Sequence, residues 1–142
     1  MITLKINDRK VVAEEGQTIL QVAQQYNIDI PTLCYHTALS PAGACRLCMV
    51  EVFDGRRTRL VTSCNYPVWR DMEVRTDSER VIKGRRMIVE LLLARCPGVK
   101  VLQDLAREYG IEQPRFTQEA DDCILCGLCT RMCEERMGVS AI

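Results

Sequence analysis

The sequence predicts an α+β fold in which a small sheet domain precedes a helical segment and a cysteine-rich tail. Two stretches of alternating apolar and polar residues, each interrupted by turn residues, indicate two β-hairpins. A helical apolar period follows and ends at Cys96-Pro97-Gly98. We therefore divide the chain into residues 1–78, 79–115 and 116–142.

The first hairpin and a short helix open the sheet domain. Leu4 and Ile6 alternate with polar neighbours, and Asn7-Asp8 supplies turn residues before Val11 and Val12. Thr18 followed by Gln21 matches a capping box, in which each residue satisfies a free backbone N–H of the other. The pattern predicts a helix that begins there and extends to about Tyr26.

The second hairpin lies between two cysteines. The stretches MVEVF and TRLVT alternate on either side of Asp54-Gly55, a turn signal. Because a hairpin folds back on itself, Cys48 and Cys64 are expected to lie close together in space. A last strand is predicted over Met72–Arg75.

The helical segment contains two predicted helices. The first has a broad apolar face, comprising Val81, Ile82, Ile88, Val89, Leu91, Leu92 and Leu93, with Arg80, Lys83, Arg85 and Arg86 opposite. We interpret the basic residues as a solvated face, and the broad apolar face modestly favours a subunit interface. A second helix is predicted from Val99 to Tyr109, and residues 111–122 are expected to be irregular.

Charge and cysteine content narrow the function classes. The chain has 19 basic and 19 acidic residues, so nothing favours nucleic acid as a partner. Its N-terminus carries charges where a signal peptide needs an apolar core, and no apolar stretch is long enough to span a bilayer. We expect a cytoplasmic protein without a disulfide framework.

The first cysteine set is Cys34, Cys45, Cys48 and Cys64, spaced C-x10-C-x2-C-x15-C. Small residues, including Gly43, precede the second cysteine, and such loops let backbone N–H groups approach cluster sulfur closely. Four thiolates in a β-rich frame favour a [2Fe–2S] cluster. Structural zinc is the alternative, although zinc ribbons usually present two Cys-x-x-Cys pairs, and Cys34 and Cys64 are isolated.

The run CYHTALSPAGACRLCMVEV with the later Cys64 resembles the ferredoxin-like N-terminal domain of the complex I large iron–sulfur subunit. The same domain occurs in NAD-coupled hydrogenases, iron hydrogenases and formate dehydrogenases. The resemblance covers essentially the whole chain. It implies a β-grasp fold in which Cys34, Cys45, Cys48 and Cys64 hold a [2Fe–2S] cluster.

The chain departs from that family after its first long helix. Larger members carry a His-x3-Cys-x2-Cys-x5-Cys site there, whereas this chain has only Cys96 and no histidine. Cys96 could act as an additional ligand for the tail. We favour a small buried residue at a helix end and predict no metal there.

The second cysteine set is Cys123, Cys126, Cys129 and Cys133, spaced C-x2-C-x2-C-x3-C, which matches the bacterial run for a [4Fe–4S] cluster. In two-cluster ferredoxins the last cysteine of this run serves the other cluster, and no second run follows here. We therefore expect a truncated or partial form of a longer protein. Otherwise Cys133 turns inward, a partner supplies the fourth ligand, or the site stays empty.

Two residues beside the first set have alternative interpretations. His36 could form a hydrogen bond that tunes the cluster, but it more commonly packs or is solvated beside such a loop. Arg46, between two cysteines, could favour the reduced cluster or simply face solvent.

No phosphate-binding glycine loop, nucleophile elbow or paired-carboxylate arrangement is found, so we expect no catalytic site in the chain itself. The sequence predicts an electron-transfer subunit between a flavoprotein that oxidises NADH and a catalytic subunit such as a hydrogenase or formate dehydrogenase. The alternative is a freely diffusing ferredoxin-type carrier or a redox sensor.

Overall fold

The computed structural model describes residues 1–142 and contains one mixed five-stranded sheet. The strands are β1 (Ile2–Ile6), β2 (Arg9–Ala13), β3 (Met49–Phe53), β4 (Thr58–Thr62) and β5 (Glu73–Arg75), and their order across the sheet is β2-β1-β5-β3-β4. The first and last hairpins are antiparallel, and β1 pairs in parallel with β5. This is the expected α+β, β-grasp arrangement.

Local signals explain the ends of several elements. Asn7 and Asp8 both adopt positive φ values, as a tight hairpin turn requires. Helix α1 (Ile19–Gln25) begins at the predicted capping box, because the Thr18 hydroxyl accepts the Gln21 N–H and the Gln21 side chain accepts the Thr18 N–H. Its apolar face packs on the sheet in a core of 16 buried residues.

Helices α2 (Glu79–Arg95) and α3 (Lys100–Glu108) pack against each other and form a second core. Leu47, which lies between Cys45 and Cys48 in the sequence, is fully buried in this core. Ile124, next to Cys123, packs against the same core. The helical segment therefore supports both cysteine sets. No helix in the structure has the length and apolarity needed to cross a bilayer.

The prediction that Arg85 lies on a solvated face is wrong. Arg85 is 4% exposed, and its Nη2 donates to the Met49 carbonyl oxygen at 2.7 Å. The neighbouring Gly84 allows this close packing, because a Cβ atom there would lie 2.5 Å from the Met49 sulfur. Conversely, Ile82 and Leu91 of the predicted apolar face are exposed.

Candidate iron–sulfur sites

The first cysteine set is assembled by the loop before β3 and by the end of β4. Register between these strands pairs Met49 with Thr62, and the Ser63 N–H donates to the Cys48 carbonyl oxygen at 3.1 Å. The hairpin thus brings Cys64 back to Cys48, as its turn predicted. Cys34, Cys48 and Cys64 are buried, and Cys45 is partly exposed.

The four thiols meet as two pairs. The Cys45 N–H points to the Cys34 sulfur at 3.5 Å, and the side chains of these two cysteines interact. The Cys64 thiol donates to Cys48, which lowers the pKa of Cys48 to about 6 and raises that of Cys64. Cys34 also lies near enough to raise the Cys64 pKa by charge repulsion.

Backbone donors surround these sulfurs. Burial raises the pKa of Cys45, and the backbone N–H groups of Leu47, Cys34 and Leu33 oppose that rise by stabilising its thiolate. The Gly43 N–H does the same at Cys64. Such N–H groups are the donors that cluster-bound sulfur accepts, so the loop can stabilise negative charge without a charged side chain.

The shape of the loop depends on left-handed residues. Gly43 has φ +63° and is buried, and a Cβ atom there would lie 2.7 Å from Asn65 Nδ2. Arg46 also adopts a positive φ, and its side chain is exposed. His36 is exposed too, and its Nδ1 accepts the Ala38 N–H at 3.1 Å, within its own loop.

The paired thiols fit a two-iron cluster. No group of three or more His, Cys, Asp or Glu side chains is arranged to hold a single metal ion. A [2Fe–2S] cluster takes four cysteines over two irons, so it needs two neighbouring pairs rather than one tetrahedral point. Cys34 with Cys45 and Cys48 with Cys64 would supply those pairs.

The second cysteine set lies on one loop and the helix that follows it. Leu125 and Gly127 adopt positive φ values and turn the chain tightly around Cys126. Helix α4 (Leu128–Met132) then carries Cys129 and continues into a wider π-helical turn, Cys133–Met137. Cys133 is partly exposed, and its sulfur accepts the Ala141 N–H at 3.2 Å.

The start of the second set is attached to the end of α2. Arg95 Nε donates to the Cys123 carbonyl oxygen at 3.2 Å, and the buried Cys96 thiol donates to the same oxygen at 3.3 Å. Arg95 also pairs with Asp121, whose carboxylate accepts the Cys123 N–H. These contacts place the second set beside the core formed by α2 and α3.

The other end of the second set contacts the first. Arg131, between Cys129 and Cys133, donates to the carbonyl oxygens of Cys34 and Ser40. Arg136 donates to the Ala38 carbonyl oxygen, and the Glu135 carboxylate accepts the Ser40 N–H at 2.8 Å. The loop that carries Cys34 is therefore held directly by the segment that carries the second set.

These contact residues were absent from the sequence-based prediction. The position of Arg131 between two predicted ligands was the only sequence feature that pointed to a role near the second site. Its position in the motif did not reveal which loop it would reach.

Comparisons with known proteins agree with this fold. A family model described as "2Fe-2S iron-sulfur cluster binding domain" matches residues 1–79. The NADP-reducing hydrogenase subunit HndD of Solidesulfovibrio fructosivorans is 38% identical over 94% of this chain. The NADH-ubiquinone oxidoreductase 78 kDa subunit of Candida albicans is 39% identical over 81% of it.

The chain spans only 28% and 17% of the lengths of these two relatives. Among solved structures, a crystal structure of NAD+-reducing [NiFe]-hydrogenase in the H2-reduced state matches with a TM-score of 0.82 and 30% identity. That match covers 94% of this chain and 66% of the other. The predicted resemblance to complex I and hydrogenase subunits is confirmed, and the chain belongs to the family of 2Fe–2S iron–sulfur cluster binding domains.

Proposed function

We propose that the chain is an electron-transfer part of an oxidoreductase, relaying single electrons between a flavin- or NAD(H)-linked partner and a hydrogenase, formate dehydrogenase or similar core. The observation that carries this proposal is the contact between the segments that carry the two cysteine sets, made by Arg131 and Glu135 with the loop of Cys34. Two redox sites carried by contacting segments of one chain suit a relay. The similarity to hydrogenase and NADH-oxidoreductase subunits supports the same role.

The first site would hold its cluster through Cys34, Cys45, Cys48 and Cys64. Bound there, a [2Fe–2S] cluster supplies one-electron chemistry with little change in geometry. The chain's own contribution is burial of three of these thiols and backbone N–H donors directed at sulfur. Burial excludes water, and the donors stabilise the added negative charge on reduction.

The second site would hold a [4Fe–4S] cluster through Cys123, Cys126 and Cys129, with Cys133 as the candidate fourth ligand. The tight turn at Gly127 supports this assignment, since three cysteines must wrap one cluster from a single loop. Cys123 and Cys129 are exposed residues, which leaves this site open toward a partner.

In this proposal residues 1–78 form the [2Fe–2S] domain, residues 79–115 connect the sites, and residues 116–142 bind the second cluster. A flavoprotein that oxidises NADH and a catalytic subunit would carry out the substrate chemistry, in the cytoplasm. Electrons would enter and leave singly.

Anaerobic purification followed by metal analysis and pull-down tests the proposal. We expect iron and acid-labile sulfide in the protein, and co-purification of a flavin-containing subunit. Zinc without sulfide would replace the electron-transfer assignment with a structural zinc site. Recovery of an iron–sulfur monomer alone would favour the freely diffusing carrier.

A further inference from the structure

Arg131 connects the two cysteine sets through its forked side chain. One terminal nitrogen, Nη1, donates to the Ser40 carbonyl oxygen at 2.7 Å, and the other, Nη2, donates to the carbonyl oxygen of Cys34. The guanidinium is always charged, and its planar fork suits two acceptors held side by side. A positive charge is therefore fixed on the peptide group of a first-set cysteine.

Another donor group of Arg131, on Nε, lies beside the second set. Its Nε is buried and has no acceptor among the protein atoms. A Cβ atom built at Gly127 would lie 3.9 Å from this nitrogen, so the Nε lies against the turn between Cys126 and Cys129. A buried N–H without an acceptor is costly, and cluster sulfur is an acceptor that this turn is suited to hold.

We propose that Arg131 is a positioning residue that joins the two redox sites and raises the reduction potential of the [2Fe–2S] cluster. This inference rests on the proposed cluster sites. Reduction adds one negative charge to the cluster, and a fixed cation at the Cys34 carbonyl favours the reduced form. The partly buried position of Arg131 limits the screening of this charge by solvent.

Arg131 has two effects that can be measured separately: it docks the loop of Cys34, and it places a positive charge at the Cys34 peptide group. Arg136 supports the same docking through the Ala38 carbonyl oxygen, but it is exposed and does not contact Cys34. Replacing Arg136 removes one docking contact. It also removes one positive charge, but this charge is not bound to the Cys34 peptide group. Arg136→Gln is therefore the matched control.

The experiment uses the anaerobically purified full chain with its clusters, and it compares wild type with R131Q, R131K and R136Q. The [2Fe–2S] midpoint is measured by a redox titration followed by electron paramagnetic resonance. Hydrogen exchange of the amides from Cys34 to Ser40 reports docking. Iron and sulfide contents are measured in every sample.

We expect R131Q to weaken reduction of the [2Fe–2S] cluster about tenfold, a shift of about −59 mV for a one-electron couple. R131K keeps the positive charge, so its equilibrium constant for reduction of the [2Fe–2S] cluster should stay within about twofold of the wild-type value. Because lysine lacks the forked guanidinium, the docked amides should exchange hydrogen faster than in wild type. R136Q should speed exchange and leave the midpoint unchanged.

An unchanged midpoint in cluster-loaded R131Q, or an equal shift in R136Q, overturns the inference. If R131Q does not assemble the cluster, the midpoint of R131K is the test. A tenfold change in the equilibrium constant for reduction in R131K, which keeps the charge, overturns the role of charge. Wild type without iron and sulfide is a different result, because it rejects the proposed function itself.

Discussion

The thiol of Cys96 donates a hydrogen bond to the carbonyl oxygen of Cys123, with the sulfur and oxygen 3.3 Å apart. Burial raises the pKa of Cys96, so the thiol stays protonated at neutral pH and can act as this donor. The end of α2 thus holds the first cysteine of the second set. This contact favours a structural role for Cys96.

Cys96→Ala tests that role. The variant loses the hydrogen bond and leaves a small cavity, so the free energy of unfolding should fall by about 1 to 2 kcal/mol. Iron and sulfide contents should match wild type. Chemical unfolding and metal analysis check both expectations, with Cys123→Ser as the ligand control. Equal iron loss in both variants would instead make Cys96 a ligand.

Gly43→Ala should disrupt the first cysteine loop. The new methyl group combines a positive φ with a contact of 2.7 Å to Asn65 Nδ2, and Thr62 holds that side chain by a hydrogen bond. We expect a loss of about 2 to 4 kcal/mol in unfolding free energy and poor [2Fe–2S] assembly.

Gly55→Ala is the matched control for this change. Gly55 also has a positive φ, but a Cβ atom there meets nothing within 4 Å. Only the backbone strain of about 1 to 2 kcal/mol should appear, with normal cluster content. Similar losses of cluster in both variants would show that the crowding at Asn65 has no special role.

Elements defined by neighbouring residues were predictable from the sequence. The capping box at Thr18 and the hairpin turn at Asn7-Asp8 depend on contacts within a few residues, so local patterns contain the necessary information. The hairpin between Cys48 and Cys64 likewise predicted their proximity, and in the structure Met49 pairs with Thr62 and the Ser63 N–H donates to the Cys48 carbonyl oxygen.

Contacts between distant segments were not predictable in this way. Arg85 lies on a helix whose pattern placed it toward solvent, yet the packing of α2 on β3 buries it. Arg131 contacts Cys34 across 97 positions of sequence. Such contacts depend on how the helical segment packs on the sheet, which a helical period does not encode.

Glu90→Gln should weaken the contact between α2 and Arg115, which precedes the segment of the second site, and so lower the stability of the protein. The buried Glu90 carboxylate accepts three hydrogen bonds from Arg115, and this contact holds the Glu90 pKa at about 2. Because the pKa is lower than its ordinary 4.5, the stabilisation is complete above about pH 4.5 and disappears as the pH falls toward about 2.

Wild type should therefore exceed Glu90→Gln in stability at pH 7, and the difference should narrow at pH 3. Chemical unfolding at the two pH values measures it. Glu73→Gln is the control, since its ion pair with Lys5 is about half exposed and should contribute little. A difference that stays constant between pH 7 and pH 3 contradicts this assignment.

Cys48→Ser tests whether the two sites assemble independently. Serine removes a soft thiolate from the Cys48–Cys64 pair, so the [2Fe–2S] signal should disappear. The second site should keep its cluster, because Arg131 contacts the backbone carbonyl of Cys34 rather than Cys48. Iron should fall from about six to about four atoms per chain.

Low-temperature electron paramagnetic resonance of the reduced protein distinguishes the two signals, and Cys126→Ser should produce the reciprocal loss. Disappearance of both signals in either variant would mean that the sites assemble together.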